Sequence, residues 1–344
     1  MAPNLIKNEG AFDVDIKPDE LQPPKLSKIK HKILYVNLIY FLYWHLAAPY
    51  GLYLCCTSAK WATIIFAFVM FLAAELGITA GAHRLWSHKS YKAKLPLEII
   101  LMLFNSIAFQ NSIIHWARDH RLHHKYSDTD ADPHNASRGF FYSHVGWLIT
   151  KKNKEVLKRG KNIDVSDLYN NPVLQFQRKY AVPVFASFCF ILPTLIPMYL
   201  WGESFKNSWY VNLLRYVINL NVTFLVNSAA HKWGYKPYEK NINPAQNVYV
   251  SFATLGEGFH NYHHIFPWDY KTAELGNNKL NVTTWFINFF AKIGWAYDLK
   301  TVSNEMVRAR AMRTGDGNDL WGWDDEDITD KDKEHTDILN GKTD

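Results

Sequence analysis

The sequence predicts an all-α membrane protein, with four transmembrane helices in two hairpins and its chemistry gathered on one membrane face. Three observations predict it. Four apolar runs are each about 20 residues long, short polar links join them in pairs, and histidines recur at the same end of those runs. Composition agrees: 48% of the 344 residues are hydrophobic and 15% aromatic, which excludes a disordered chain. Three cysteines exclude a disulfide scaffold; Cys55, Cys56 and Cys189 lie inside apolar runs and read as core or lipid-facing residues.

Taken in order, residues 1–30 form a polar tail with no apolar core of the kind a cleaved secretory signal needs. Runs 33–56 and 61–82 are separated by residues 57–60, and runs 181–201 and 209–230 by residues 202–208. A helix rising ~1.5 Å per residue crosses a ~30 Å hydrocarbon core in about 20 residues. The short links force each pair into an antiparallel hairpin. Trp61, Trp201 and Trp209 stand near run ends, where amphipathic rings meet the bilayer surface.

The loops orient the hairpins. Their tips carry one lysine each, Lys60 and Lys206. The opposite side carries Lys25, Lys28, Lys30 and Lys32, then Lys151, Lys152, Lys154, Lys158 and Arg159. Positive charge stays cytosolic, so both termini and segment 83–180 are expected there. The net charge of +6 is thus a feature of the membrane surface, and no basic–aromatic pattern points to nucleic acid. Stretches 97–109 and 285–297 are too short to span and read as interfacial or core helices. Residues 319–344 form an acidic tail, which leaves one domain over residues 31–318.

The chain has 15 histidines, so chance predicts roughly 0.03 occurrences of H-x-x-H-H. It occurs twice, as His120-Arg121-Leu122-His123-His124 and His260-Asn261-Tyr262-His263-His264. His83 and His88 stand at the cytosolic end of the second run and His231 at that of the fourth. On a helix, positions i, i+3 and i+4 share a face, so each H-x-x-H-H can aim three imidazoles at one point. The five-residue spacing of His83 and His88 predicts that the helix unwinds near Trp86. Nine imidazoles are too many for one metal ion and suit two, at four or five each. His31, His45, His134, His144 and His335 read as ordinary core or solvated histidines.

Zinc usually settles for four ligands, whereas imidazole also suits iron, which adds redox chemistry. Asp119, Glu257 and members of the run Asp128, Asp130 and Asp132 are candidates to orient ring N–H groups. The run is no calcium loop, because Pro133 replaces the required glycine. Two irons beside bilayer helices imply dioxygen activation on an apolar substrate, which needs a dry tunnel among the spans and basic residues outside it.

The chain resembles the membrane-bound acyl-CoA desaturases of the stearoyl-CoA desaturase type, nearest to the insect branch. The resemblance rests on residues 77–88, 116–124, 131–135, 227–231 and 256–264 and extends over about residues 30–318. It implies a cytosolic helical cap over four membrane helices, holding two iron ions on His83, His88, His120, His123, His124, His231, His260, His263 and His264. Asn227 is implied to reach one iron through a water. Asn37, Asn111, Arg118 and Asp119 match acyl-CoA contact positions, and Lys151 and Lys152 match those meeting the coenzyme A phosphates. Lys154, Lys158 and Arg159 suit the same phosphates or anionic lipid equally. The resemblance also implies dioxygen, NADH-cytochrome b5 reductase and cytochrome b5 as partners, the last drawn to the positive face. The expected location is the endoplasmic-reticulum membrane.

Departures from the family sharpen the expectations. His115 stands where Glu is usual and is either a tenth ligand or a supporting or head-group contact. Phe224 replaces a tunnel-lining Trp, and Phe71 and Glu75 occupy the positions that close the tunnel. A buried Glu needs a partner, for which Arg215 is the expected one. Asn243-Pro244-Ala245-Gln246 looks more like the motif of moth Δ11 desaturases than the Pro-Val-Glu version of Δ9 forms, so the reading leans to Δ11, with Δ9 next. Alkyl-chain hydroxylation is the sister chemistry, and a metal-storage protein or a zinc hydrolase the more distant alternatives. Sequons at Asn135 and Asn281 lie on the expected cytosolic side and are predicted to stay unmodified.

Overall fold

The computed structural model describes residues 32–273 and 280–317; both expected tails lie outside them. Helix α1 spans Tyr35–Thr57 and α2 spans Trp61–Leu76, which runs on as a π-helix over Gly77–Ser87. Helices α3 (Leu95–Ala108) and α4 (Ile113–Lys125) follow, bent by 83° against each other. Phe109 and Asn111, both with positive φ, make that corner. A second long helix pair, α5 (Ala181–Trp201, with a π-turn at Ala186–Ile191) and α6 (Phe205–Ser228), returns the chain to the same end. Short helices α7 (Val248–Ala253), α8 (His260–Ile265), α9 (Val282–Lys292) and α10 (Asn304–Thr314) complete the cap side. A two-residue antiparallel ribbon pairs Lys92 with Tyr297 and Ala93 with Ala296.

The outer faces are apolar yet exposed: Tyr35, Ile39 and Leu46 on α1, and Val182, Tyr199 and Leu200 on α5. That inversion of the usual rule is what a lipid-facing surface looks like. By length and composition α2 with its extension (Trp61–Ser87) and α5 can cross a membrane, and the bent α3–α4 pair would make a third crossing. The four expected spans therefore reduce to two or three on this criterion. Helices α1 and α6 are long enough, at 23 and 24 residues, but α6 carries Asn207, Asn212, Arg215, Asn219 and Asn221 along its length. All but the last of these are buried against other helices.

Close backbone approaches hold the bundle. A Cβ on Gly77 would lie 2.1 Å from the Asn105 amide nitrogen of α3, and one on Gly51 would lie 2.2 Å from the Tyr210 carbonyl of α6. Across the hairpin tips, Glu203 accepts from the Lys60 N–H at 2.8 Å and from Thr63 Oγ1 at 2.7 Å. Lys60 Nζ in turn donates to the Trp201 and Gly202 carbonyls.

Two expectations need correction. The helix does not unwind near Trp86 but widens: His88 N–H donates to His83 C=O, five residues back, at 3.1 Å. An i to i+5 bond stacks residues five apart on one face, so His83 and His88 converge without a break. Arg215 does not pair with Glu75. It donates to the Ile107 and Cys189 carbonyls at 3.0 Å and to Asn212 Oδ1 at 2.8 Å, while Glu75 accepts from Asn219 Nδ2 at 2.6 Å. Ile107 sits in the last turn of α3, where backbone carbonyls lack intrahelical partners, and Cys189 in the π-turn of α5.

Candidate metal centre

The nine histidines converge as two clusters whose ligand atoms lie within 4.8 Å of one another. His83, His88, His120, His124 and His263 form one, and His123, His231, His260 and His264 the other. Each H-x-x-H-H is therefore split between the clusters rather than aimed at one point. Around a helix, i+4 returns to within about 40° of i, whereas i+3 lies about 60° to the other side. Helix α4 sends its i, i+4 pair (His120, His124) to the first cluster and His123 to the second. Helix α8 does the reverse, with His260 and His264 in the second and His263 in the first. The two helices thus cross-brace both clusters.

Carboxylates fix the ring orientations. His83 Nδ1 faces Glu257 Oε2 at 2.9 Å, His123 Nδ1 faces Asp132 Oδ2 at 2.9 Å, and His231 Nδ1 faces Asp128 Oδ2 at 3.0 Å. A carboxylate that accepts a hydrogen bond from Nδ1–H keeps the proton on that nitrogen and turns the Nε2 lone pair outward. Those Nε2 atoms point at other Nε2 atoms: His83 to His263 at 2.9 Å, His231 to His260 at 2.9 Å and His123 to His264 at 3.3 Å. His88–His120 and His124–His263 approach similarly, at 2.8 and 3.0 Å. Lone pairs facing a common point call for a cation, so the donor set fits a pair of metal ions. Burial, reinforced by the neighbouring rings, holds His88, His120, His124, His260, His263 and His264 well below the usual imidazole range, in the neutral form a metal needs. Burial alone would raise Glu257, but the Arg84 guanidinium and His83 hold it at about 2.

A second layer was legible in the sequence only as flanking letters. Arg84, fully buried, pairs with Glu257 at 2.8 Å and donates to the Tyr270 and Lys271 carbonyls and to Thr284. Arg121 clamps Asp167 with two bonds and donates to the Trp86 and Ser87 carbonyls, which ties α4 to the end of the π-helix. The one readable signal was a charged residue set directly between histidine-box positions. Asp130 pairs with Arg138. His134 is more than an ordinary histidine: buried, it stands 4.5 Å from the His123 ring (centroid to centroid) and lines the cavity described next. His45 and His144 are hydrogen-bonded core residues joined through Asn221.

A cavity of about 560 Å³ opens beside the clusters. Its wall includes His83, His120, His123 and His260, and the expected Asn37, Asn111, Asp119, Asn227, Phe224 and Glu75 also line it. Arg118, Lys151, Lys152 and Phe71 do not. Arg118 and Lys152 instead grip Asp119, with His115 Nε2 3.2 Å from the same carboxylate. His115 thus lines the cavity beside Asp119 and lies outside both clusters. Lys151 is exposed beside them, and Phe71 stacks on Phe68. Sequence reading missed one feature of the wall: Gln110 Nε2 donates to Thr223 Oγ1 at 2.9 Å, and both side chains line the cavity.

Residues 59–275 match the fatty acid desaturase family. The chain belongs to that family. It is 68% identical to the Acyl-CoA Delta(11) desaturase of Spodoptera littoralis over 304 residues, 88% of this chain and 90% of that protein. It is 64% identical to the Acyl-CoA Delta(11) desaturase of Trichoplusia ni, over 95% of both chains. The Acyl-CoA Delta-9 desaturase of Acheta domesticus is 54% identical over 96% of this chain and 92% of its own.

Proposed function

We propose that this desaturase introduces a cis double bond into a saturated or monounsaturated acyl-CoA, at Δ11 in preference to Δ9. The observation that carries the reading is the pair of histidine clusters opening on a cavity whose wall is largely apolar. Identity of 68% and 64% to two Δ11 enzymes, against 54% to a Δ9 enzyme, supports the position. The desaturase names of these relatives favour desaturation over hydroxylation.

Iron bound by the nine histidines, with Asn227 reaching one ion through water, would supply the oxidising power to remove hydrogen from an unactivated C–H bond. Overall, one CH2–CH2 unit loses two hydrogens while dioxygen takes these, two electrons and two protons to give two waters. The chain's own residues do the rest. Asn37, Asn111, Arg118 and Asp119 are suited to hold the thioester end at the mouth, and Lys151 and Lys152 to meet the phosphates. Phe224, Trp147 and Tyr216 exclude water along the cavity, whose wall also carries Glu75. Glu257, Asp128 and Asp132 keep the rings turned to the metals. Four membrane crossings, at about 33–56, 61–82, 181–201 and 209–230, place both termini in the cytosol at the endoplasmic reticulum within one domain of residues 31–318. That face receives electrons from cytochrome b5 and its NADH-dependent reductase.

Expression in a desaturase-deficient yeast, followed by double-bond mapping of its lipids, tests the reading. Δ11 products are expected. Products hydroxylated without desaturation, or Δ9 products alone, would refute it.

A further inference from the structure

None of the four residues Asn243–Gln246 lines the cavity that would hold the acyl chain, although this motif carries the sequence cue to double-bond position. Its last member is built under the third histidine box instead. Helix α8 begins at His260, and its N-cap position, Phe259, offers no side-chain acceptor to the free N–H groups of the first turn. Gln246 Oε1 fills that role from another part of the chain. It accepts from the Asn261 N–H at 3.2 Å and lies 3.5 Å from the Tyr262 nitrogen, the second and third residues of the helix, where a capping side chain bonds. Gln246 is 1% exposed, and its backbone bridges antiparallel to both Tyr235 and Phe259. The helix answers with Asn261, fully buried between His260 and His263. Its Oδ1 accepts from the Tyr238 and Glu239 N–H groups, and its Nδ2 donates to the Glu239 and Pro244 carbonyls. Loop and helix are thus sewn together from both sides.

We propose that Gln246 is a positioning residue for the four-imidazole cluster, capping from outside the helix that carries His260, His263 and His264. The proposal rests on the two-metal reading above. Its effect is unequal between the clusters. Helix α8 contributes two of the four rings of one cluster but only one of the five rings of the other. A shift of this helix therefore loosens half of one donor set and a fifth of the other.

The test uses the full-length protein in detergent, stripped of metal and titrated with Co(II), whose visible bands report binding to imidazole. Gln246→Met keeps the volume and removes the acceptor, and Gln246→Glu keeps an acceptor. Wild type should take up two equivalents. Gln246→Met should weaken one of the two steps by about 2- to 30-fold, the effect of losing a helix cap, and leave the other near wild type. Gln246→Glu should restore both. A Gln246→Met titration matching wild type, or one weakened equally in both steps, overturns the proposal. If Gln246→Met does not fold, Gln246→Glu decides: two wild-type steps support the role and a weakened step overturns it. Fewer than two equivalents on wild type overturns the two-metal reading and the proposal with it. Two on wild type with an unaffected Gln246→Met overturns the proposal alone.

Discussion

Glu257→Gln is the most informative single substitution, because one carboxylate faces both a ring and a buried cation. Its Oε2 lies 2.9 Å from His83 Nδ1, and its Oε1 accepts from Arg84 Nη2 at 2.8 Å and Nε at 3.1 Å. Arg84 is 0% exposed, so the variant leaves a buried guanidinium without its counter-charge. Breaking such a pair costs about 3–5 kcal/mol. The acceptors that remain to Arg84, at Tyr270, Lys271 and Thr284, favour the lower end, about 3 kcal/mol. With an unfolding entropy of about 2.1 cal/mol/K per residue, each kcal/mol moves Tm by about 1.5 °C in a chain of this size, so Tm should fall by about 4 °C. The neutral amide also stops holding the His83 tautomer, which should weaken metal at the five-ring cluster by about 10- to 100-fold. Thermal melting of the metal-free variant reads the first effect and iron content after dialysis the second. A Tm within about 1 °C of wild type together with unchanged iron would refute the account of this buried layer.

Asp128→Asn frees the His231 ring and should weaken metal at the four-ring cluster by about 10- to 100-fold while sparing the five-ring cluster; equal loss from both would contradict the split seen here. Glu75→Ala removes a polar side chain from the cavity wall and should lengthen the acyl chains accepted, read by product profiling in yeast; an unchanged distribution would refute a stopper role. Gly77→Ala drives a methyl into the α3 backbone, where overpacking costs about 1–3 kcal/mol or more, so a melt indistinguishable from wild type would show that the two helices part freely. Asn135 and Asn281 are buried and donate to the Thr129 and Lys271 carbonyls, so glycosidase treatment should leave the mass unchanged; a shift at either would overturn the cytosolic assignment of that side.

The sequence by itself determined the long apolar runs, the nine histidines and their gathering in groups of four or five. These are local matters of period, length and count, which a chain carries without its neighbours. It also offered Asp119, Glu257 and members of the run Asp128, Asp130 and Asp132 as orienting groups, but not which of them would meet which ring. Tertiary structure alone decided the rest. His83 meets Glu257 across 174 positions and His263 across 180, and distances over such separations depend on how helices pack. Packing also split each H-x-x-H-H between two clusters, since α4 and α8 face each other with the i+3 ring turned away from the i, i+4 pair. It turned an expected break at Trp86 into a wider helix, because an i to i+5 bond satisfies the His83 carbonyl and the His88 N–H, which unwinding would leave bare. It gave Arg215 to the Ile107 and Cys189 carbonyls rather than to Glu75, a meeting of three helices that no residue pattern announces.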